Sequence, residues 1–536
     1  MRETTLNLRP GRFTAGLALG LLVLAMGAPV ARAQATAPVP TEPVAAAPAV
    51  LLGDVAFPVQ QWAVEGVTVF EPAELLRFAM AMHQGAGGHA LSAQSLANAM
   101  ALMYREDGYA LADVVWRADA AAARVVWTVH EGHIERVTLT GLDAATTART
   151  LRYLQPLTTQ RPLHQADLER ALALADDLAG TSLISRVLPL VGGSGSELIV
   201  SGEAFHRRGG LVFDMVPMRP GHARRLHWHE ERYGLLQPGD LTRVYATATR
   251  DPQDGESLLG GIHHRAPVGD EGAYVELLAG NARAERGLSN TLDRSELRGR
   301  NVSLAWGHPF QRDLHSHGYW IAALDHADST ARLGERQPRS QATAARLYLL
   351  QGRTGGDERL LQYALTLSAG ARPSAAVLDG ERHFQHLRAG LGLAGPWRLG
   401  SSVMTYRLEG AAQWAARSLP RVERFVLGHF PYLRGYAPAE VDGDRGVGFT
   451  LELVRQGDLR GGLARVKPFV FVAGGTVSSL RPQGVASWSL ASVGAGLRTT
   501  LGERVGIEAW AAVPLRDGPQ SQRGKAALFV ALSTPL

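Results

Sequence analysis

The feature that most constrains the fold is an alternation of apolar and polar residues in short segments from residue 204 to residue 536. In "GAYVELLAGNARAE", for example, Ala273, Val275 and Leu277 share one face of an extended chain, and "RVGIEAWAAV" and "RVKPFVFVA" repeat the alternation. A period of two, interrupted by turn residues, is typical of transmembrane β-barrel strands. Only a closed barrel lets strands satisfy their backbone hydrogen bonds in lipid.

The length of this region predicts the number of strands. At roughly 20 residues for each strand and its connection, residues 204–536 would form a barrel of 16 antiparallel strands. A soluble β-sandwich or propeller is the alternative that alternation alone leaves open.

The first 33 residues have the organisation of a secretory signal peptide. Arg2, Arg9 and Arg12 precede an apolar stretch, and Ala31–Ala33 forms a small-x-small cleavage site. An uncleaved membrane anchor is the alternative. After residue 33 no apolar run approaches the ~18–20 residues of a spanning helix, and the chain contains no cysteine. Residues 34–55 are rich in alanine and proline, which predicts a linker with little fixed structure.

Residues 56–132 and 133–203 read as two copies of one module with the order β-α-α-β-β. Their second helices align at an offset of 72 residues, which pairs Leu96 with Leu168 and Gly108 with Gly180. Such a fixed offset indicates tandem modules. In the first copy, Ser92 is predicted to cap the second helix and Gly108 to end it.

Composition and motifs argue against several functional classes. The net charge of +5 is small and dispersed, so nucleic-acid binding is not predicted. No nucleophile elbow, phosphate-binding loop or zinc-protease motif is present. The pairs His227/His229 and His315/His317 could each offer two ligands on one strand face, but no third ligand has metal spacing. We therefore expect no enzyme activity, no cofactor and no metal site.

The stretch "VERFVLGHFPYLRGYAPAEVDGDRGVGFTLEL" resembles the signature of the two-partner secretion transporters, within the outer-membrane assembly superfamily. Its tetrad is Leu433-Arg434-Gly435-Tyr436, which in the family lies in a long extracellular loop. The flanking elements that would support the loop include Gly428, Gly443, Asp444 and Gly446. The two N-terminal modules resemble the polypeptide-transport-associated (POTRA) modules that precede such barrels. An N-terminal plug helix, usual in the family, has no counterpart in the alanine- and proline-rich segment.

The resemblance implies an outer-membrane protein with periplasmic modules, in which the loop near residues 425–448 folds into the barrel. It also implies export of an unfolded partner protein, such as an adhesin, a cytolysin or another β-helical client, without ATP. We expect contact with outer-membrane lipid and a monomer in the membrane. The alternatives are a barrel-insertion factor of the same superfamily, a passive diffusion porin and a surface-binding protein without a transport role.

One departure from the family pattern concerns the partner of Arg434. The family carries a late-strand acid that pairs with the tetrad arginine, but the matching position here is Ala473. Because an unpaired buried arginine is costly, we expect another carboxylate to replace that acid. Alternation places Glu452 and Glu508 on lumen faces of nearby strands. Alternatively, Arg434 would stay on a solvated loop and pair with Asp442 or Asp444.

Overall fold

The computed structural model contains two compact units: a pair of small modules and a closed β-barrel. The described residues are 49–52, 55–58, 61–85, 91–190, 195–218, 221–251, 255–287, 294–333, 337, 339–372, 381–400, 402–456, 459–461, 464–481, 484–502 and 504–536. The predicted signal peptide, the linker up to residue 48 and the question of a plug helix lie outside them.

The first module packs two helices against a three-stranded sheet. Strand β3 pairs in parallel with β5, and β5 pairs with β4 in the antiparallel sense. Its elements are β1 (Ala49–Leu52), β2 (Val55–Pro58), β3 (Gln61–Glu65), α1 (Pro72–Gly85), α2 (Ala93–Glu106), β4 (Asp113–Asp119) and β5 (Arg124–His130).

The predicted ends of helix α2 are confirmed. Ser92 Oγ accepts a hydrogen bond of 2.9 Å from Ser95 N, which satisfies one of the free donors at the helix start. Beyond the helix, Gly108 has a φ of 95°, a conformation that glycine adopts without steric cost.

The linker prediction is wrong for residues 49–52, near the end of the predicted segment 34–55. Strands β1 and β2 form a hairpin, and Val50 is fully buried in the core of the first module. Composition suggested a loose segment, but burial of the apolar Val50 side chain in the module core favours an ordered strand here.

The second module repeats the plan with the sheet order β6-β8-β7. Asp143 caps its first helix, because one carboxylate oxygen accepts hydrogen bonds from Ala145 N and Thr146 N. The elements are β6 (Ile134–Thr140), α3 (Ala144–Leu154), a 3-10 helix (Gln155–Thr159), α4 (Gln165–Asp176), β7 (Thr181–Pro189) and β8 (Ser196–Ala204).

The barrel closes when its last strand pairs with its first, β27 with β9. The strands are β9 (Arg207–Met218), β10 (Gly221–Tyr233), β11 (Leu241–Arg250), β12 (Glu256–Val268), β13 (Ala273–Gly287), β14 (Arg294–Arg312), β15 (Ser316–Leu333), β16 (Arg339–Thr354), β17 (Leu360–Ala371), β18 (His383–Leu399), β19 (Ser402–Ala415), β20 (Phe425–Leu427), β21 (Val441–Gly443), β22 (Arg445–Arg455), β23 (Leu459–Gly461), β24 (Ala464–Arg481), β25 (Gly484–Leu501), β26 (Val505–Pro514) and β27 (Ala527–Pro535).

Sixteen antiparallel strands make up the barrel wall, as the sequence predicts. Strands β20 and β21 lie outside the wall, and the short β23 continues β22 along β24. The closed wall rules out the sandwich and the propeller. Outward positions carry large apolar side chains that no other residue covers, such as Leu304 and Leu324, each 57 % exposed. Among the described residues, no helix is both long and apolar enough to cross a membrane.

Candidate functional site: a loop folded into the barrel lumen

The connection between β19 and β22, residues 416–444, folds into the barrel lumen and is called the lumen loop here. Its short strands β20 and β21 pair with each other as a hairpin. Loop and wall share one apolar cluster, in which Leu427, Leu433 and Tyr436 are fully buried. The wall contributes these residues to that cluster: Ala411, Ala473, Val477 and Leu490.

Arg434 of the tetrad is buried and ion-paired with the barrel wall. Its Nη1 lies 2.7 Å from Oε2 of Glu452 on β22. The Glu452 carboxylate also accepts hydrogen bonds of 2.6 and 3.0 Å from Arg498 of β25. Arg498 Nε in turn lies 3.0 Å from the carboxylate of Glu508 on β26. Two arginines and two glutamates therefore alternate in a chain that joins the loop to three strands.

Aromatic rings surround the two arginines. The Arg434 guanidinium lies 4.7 Å from the centre of the Phe471 ring, and that of Arg498 lies 4.2 Å from Phe469. Cation–π contacts at these distances stabilise a guanidinium that has lost water. Phe469 and Phe471 are buried and face the lumen, because their apolar neighbours Val470 and Val472 are exposed on the opposite face of β24.

A polar cavity of about 300 Å³ lies beside this ion-pair chain. Six charged side chains line it, three arginines and three glutamates, so the formal charges balance: Arg407, Glu409, Arg434, Glu452, Arg498 and Glu508. Such a lining suits water and an extended polypeptide backbone better than an apolar ligand.

The other three tetrad residues set the shape of the loop tip. Leu433 has a φ of 76°, and its carbonyl accepts hydrogen bonds from His429 N and Tyr436 N. A Cβ on Gly435 would lie only 2.9 Å from Ala512 Cβ, so only glycine fits against β26. The Tyr436 hydroxyl lies 2.9 Å from the backbone carbonyl oxygens of Ala491 and Arg516, and it can donate its one proton to either of them.

Glu440 joins the loop tip to the connection between β26 and β27, residues 515–526. One carboxylate oxygen accepts hydrogen bonds from Gln520 N and Ser521 N, at 2.6 and 2.8 Å. The other accepts from Ser521 Oγ at 2.7 Å and from Ala437 N at 3.0 Å. A carboxylate with four donors and 4 % exposure makes strong charge-assisted hydrogen bonds.

Glu423 holds the start of the loop to another part of the wall. Its carboxylate contacts Arg346 of β16 at 2.8 and 3.0 Å and His386 of β18 at 2.9 Å. Its backbone carbonyl accepts hydrogen bonds from Arg388 and Gln413. The lumen loop is thus attached both to β16 and β18 and to β22, β25 and β26.

The glycines and the acid near the loop ends have separate structural roles. Asp444 is fully buried and accepts hydrogen bonds from Leu419 N and Leu480 N, at 2.7 and 2.5 Å. A Cβ at Gly428 would meet Ala437 O at 2.3 Å, one at Gly443 would meet Ser478 O at 2.8 Å, and one at Gly446 would meet the Phe425 ring at 2.4 Å.

The alternative partners of Arg434 contact a different arginine. Asp442 lies 3.2 Å from Arg424, and Asp444 lies 3.6 Å from it. Arg434 is 6 % exposed, which does not agree with a solvated loop position. Ala473, the position of the missing family acid, is fully buried in the loop–wall cluster.

His227 and His229 lie on β10 and His317 lies on β15, whereas His315 lies in the turn that precedes β15. The rings of His227 and His229 stack with their centres 5.7 Å apart. Across the described residues, no group of three or more potential ligands is arranged to hold a metal ion.

Sequence reasoning did not identify Arg498, Glu423 or Glu440. Arg498 lies within "LASVGAGLRTTL", and the alternation that places Glu508 inward also applies to Arg498, its cross-strand neighbour. Glu423 contacts wall residues that precede it by 37 and 77 positions, and no local pattern encodes that proximity.

Comparison with known proteins agrees with this architecture. Residues 286–499 match the family model described as haemolysin secretion/activation protein ShlB/FhaC/HecB. CdiB from Escherichia coli is 17 % identical, with a TM-score of 0.70 over 93 % of this chain and 94 % of that one. CdiB from Acinetobacter baumannii is 15 % identical, with a TM-score of 0.67 over 94 % and 95 %. No curated protein sequence matches the chain significantly.

A 16-stranded barrel with POTRA-like modules and a lumen loop defines an outer-membrane transporter of the two-partner secretion class. Within that barrel, residues 286–499 are similar to the ShlB/FhaC/HecB family of secretion and activation proteins. The resemblance read from the tetrad and the modules is therefore confirmed.

Proposed function

We propose that this chain binds an unfolded partner protein through its two modules and exports it through the barrel, with the lumen loop as the gate. The observation that carries this proposal is the buried Arg434–Glu452 ion pair, with 2.7 Å between Nη1 and Oε2. A loop held by charge inside a lumen occupies the path of a client. Charged contacts can exchange one partner for another, whereas a continuous apolar plug would have to be exposed to water.

The modules offer exposed sheet edges for the client. In the second module β7 lies at the edge of the sheet, and Ile184 and Leu188 on this strand are 44 and 47 % exposed. An extended segment can add to such an edge as a further strand, with pockets for alternate side chains. This mode suits a β-helical client such as an adhesin or a cytolysin, whose segments are strand-forming.

Export needs no nucleotide in this scheme. The client folds once it emerges, and folding outside prevents its return through the barrel. We further propose that the protein works as a monomer in contact with outer-membrane lipid and that Gly428, Gly443, Asp444 and Gly446 maintain the loop's shape.

The test is secretion of the client by cells that carry Arg434→Ala. We expect less client in the medium while the variant barrel is still present and folded in the outer membrane. The matched control is Arg424→Ala, which removes an arginine that contacts the loop's own acids. Normal secretion by Arg434→Ala would contradict the gating role.

The location of the client separates export from membrane insertion. Deletion of this protein should remove a protein from the culture medium. Loss of a β-barrel protein from the outer membrane instead would favour an insertion factor.

A further inference from the structure

The outward surface of strands β13 to β16 changes from apolar to charged at one level of the barrel. On β14 the outward residues from the periplasmic end are Phe310, His308, Trp306, Leu304 and Val302, and four of the five are large apolar residues at 41–57 % exposure. These positions span about 26 Å along the strand and, at a tilt of about 40°, about 20 Å along the membrane normal. They therefore account for most of the apolar band.

Above Val302 the outward positions form three rows across the four strands. Cross-strand pairing defines the first row, the one next to the apolar band, as Asn281, Arg300, Asp328 and Gln341. The second row is Arg283, Arg298, Thr330 and Arg339, and the third is Glu285, Glu296 and Arg332. These eleven residues are called the outer patch.

The outer patch has an excess of positive charge close to the membrane. It contains five arginines and three acids, and Glu256 of β12 adds a further acid opposite Glu285 in the third row. The second row holds three arginines and no acid. Their side chains are open to solvent, with exposures of 57, 64 and 56 % for Arg283, Arg298 and Arg339.

The arrangement of these arginines leaves donors available for an anion. Arg283 and Arg298 are direct cross-strand neighbours, and like charges in that position repel each other. Glu296 contacts both, at 3.1 and 2.6 Å. Asp328 holds Arg339 through contacts of 2.7 and 2.9 Å. Each guanidinium has five N–H donors, so these contacts orient the arginines without using all their donors.

We propose that the outer patch binds the phosphate groups of phosphorylated glycolipids in the outer leaflet. The rows lie on the lipid-facing side directly above the apolar band, which is the depth of lipid headgroups. Arginine forks match phosphate geometry with two parallel hydrogen bonds. A soluble anion would gain nothing from the apolar surface directly below, whereas the acyl chains of a lipid cover Val302, Leu304 and Leu324.

The experiment measures binding of bisphosphorylated lipid A to the full-length protein in detergent by native mass spectrometry. The double variant Arg283→Gln/Arg298→Gln should bind about tenfold more weakly than the unchanged protein. The control Arg359→Gln removes an exposed arginine from the turn between β16 and β17, at the opposite end of the barrel, and should bind normally. Folding of each variant is checked by its heat-dependent migration in gels.

Two other probes identify the ligand chemistry. Dephosphorylated lipid A should bind at least tenfold more weakly, and inorganic phosphate should not compete at equal concentration. Equal binding of lipid A by the double variant, or equal binding of the dephosphorylated lipid, overturns the proposal. Competition by inorganic phosphate would indicate a site for free anions and would also overturn it. If the double variant does not fold, Arg339→Gln is measured in its place, with a loss of about threefold expected.

Discussion

Arg434 Nη1 and Glu452 Oε2 lie 2.7 Å apart in the barrel lumen, and both side chains are almost fully buried. The two residues are 18 positions apart in the chain. Arg434 lies in the loop tip and Glu452 on wall strand β22, and they meet because the loop folds back into the lumen. The Glu452 carboxylate accepts hydrogen bonds from Arg434 of the loop and from Arg498 of β25, so it interacts with both guanidinium groups.

Glu452→Gln should therefore destabilise the barrel strongly. It removes the acid that Arg434 contacts and leaves Arg498 paired with Glu508, and loss of one member of a buried pair costs about 3–5 kcal/mol. Glu508→Gln should cost roughly 1 kcal/mol, because this pair is about 30 % exposed. Thermal unfolding of both variants in detergent measures the difference in stability between them. Equal losses of stability would show that Glu452 contributes no more than Glu508.

Glu423→Gln should loosen the start of the lumen loop without moving its tip. The change weakens the contacts to Arg346 and His386 but leaves the Arg434–Glu452 pair. Hydrogen exchange should increase in residues 421–427 and stay unchanged in residues 433–436. Arg434→Ala should give the reverse pattern. Faster exchange throughout the loop in both variants would mean that the two attachments form one cooperative unit.

A disulfide between Ala437→Cys and Ser521→Cys should stop export. Ala437 N lies 3.0 Å from Ser521 Oγ, so the two residues are direct neighbours in space. The chain contains no other cysteine, which makes the cross-link unambiguous. Secretion should fail under oxidising conditions and return after reduction, while each single-cysteine variant secretes normally. Export by the oxidised double variant would show that the tip stays next to residues 515–526 during transport.

Gly435→Ala should displace the loop tip from β26. The added methyl group meets Ala512 Cβ at 2.9 Å, and the backbone φ of 98° adds strain of about 1–3 kcal/mol. Ion conductance in planar bilayers should rise. Ala512→Gly in the same chain removes the steric contact and should recover part of the closed behaviour. Gly356→Ala is the control, since nothing lies within 4 Å of its Cβ position.

The first module should lose stability at acidic pH through Glu131. Burial raises the pKa of this carboxyl group, but hydrogen bonds from Thr68 and Val69 outweigh burial and lower it overall. A lowered folded-state pKa gives stability that is present above the unfolded value, about 4.5, and is lost as the pH falls through the folded value.

Amide hydrogen exchange of residues 61–70 between pH 7 and pH 3, corrected for the intrinsic pH dependence of exchange, measures this effect. Glu131→Gln should remove much of the pH dependence of protection, and the exposed Glu74→Gln should not. An unchanged profile in Glu131→Gln would assign the acid sensitivity to other groups.

Much of the architecture could be predicted because it follows from periodicity. Alternation with a period of two predicts a wall, and the offset between Leu96 and Leu168 predicts two modules. Alternation also predicts that Glu452 faces the lumen, and its side chain contacts Arg434 there. These inferences need only local geometry and the requirement that lipid-exposed backbone be hydrogen-bonded.

The contacts that position the loop could not be predicted in the same way. Glu423 contacts Arg346 across 77 positions, and the two residues meet only when the fifteen other wall strands close the barrel around the loop. Alternation predicts that Phe469 and Phe471 share one face of β24. It does not predict that this face is the lumen face, where the rings contact buried arginines, and not the lipid face. Composition also misplaced Val50, because the residue is buried in a module core that a count of alanine and proline does not reveal.

Strands β19 and β22 pair directly over ten residues, although 29 residues of the lumen loop separate them in the chain. The wall is therefore continuous where the loop leaves it. In the described part of the chain, no wall strand pairs with the loop strands β20 and β21, which pair with each other. A change in the loop sequence therefore leaves every strand pairing of the wall in place. For engineering, the same independence means that residues 416–444 can be exchanged without loss of a wall strand pairing, as long as the new segment supplies partners for Arg346 and Glu452.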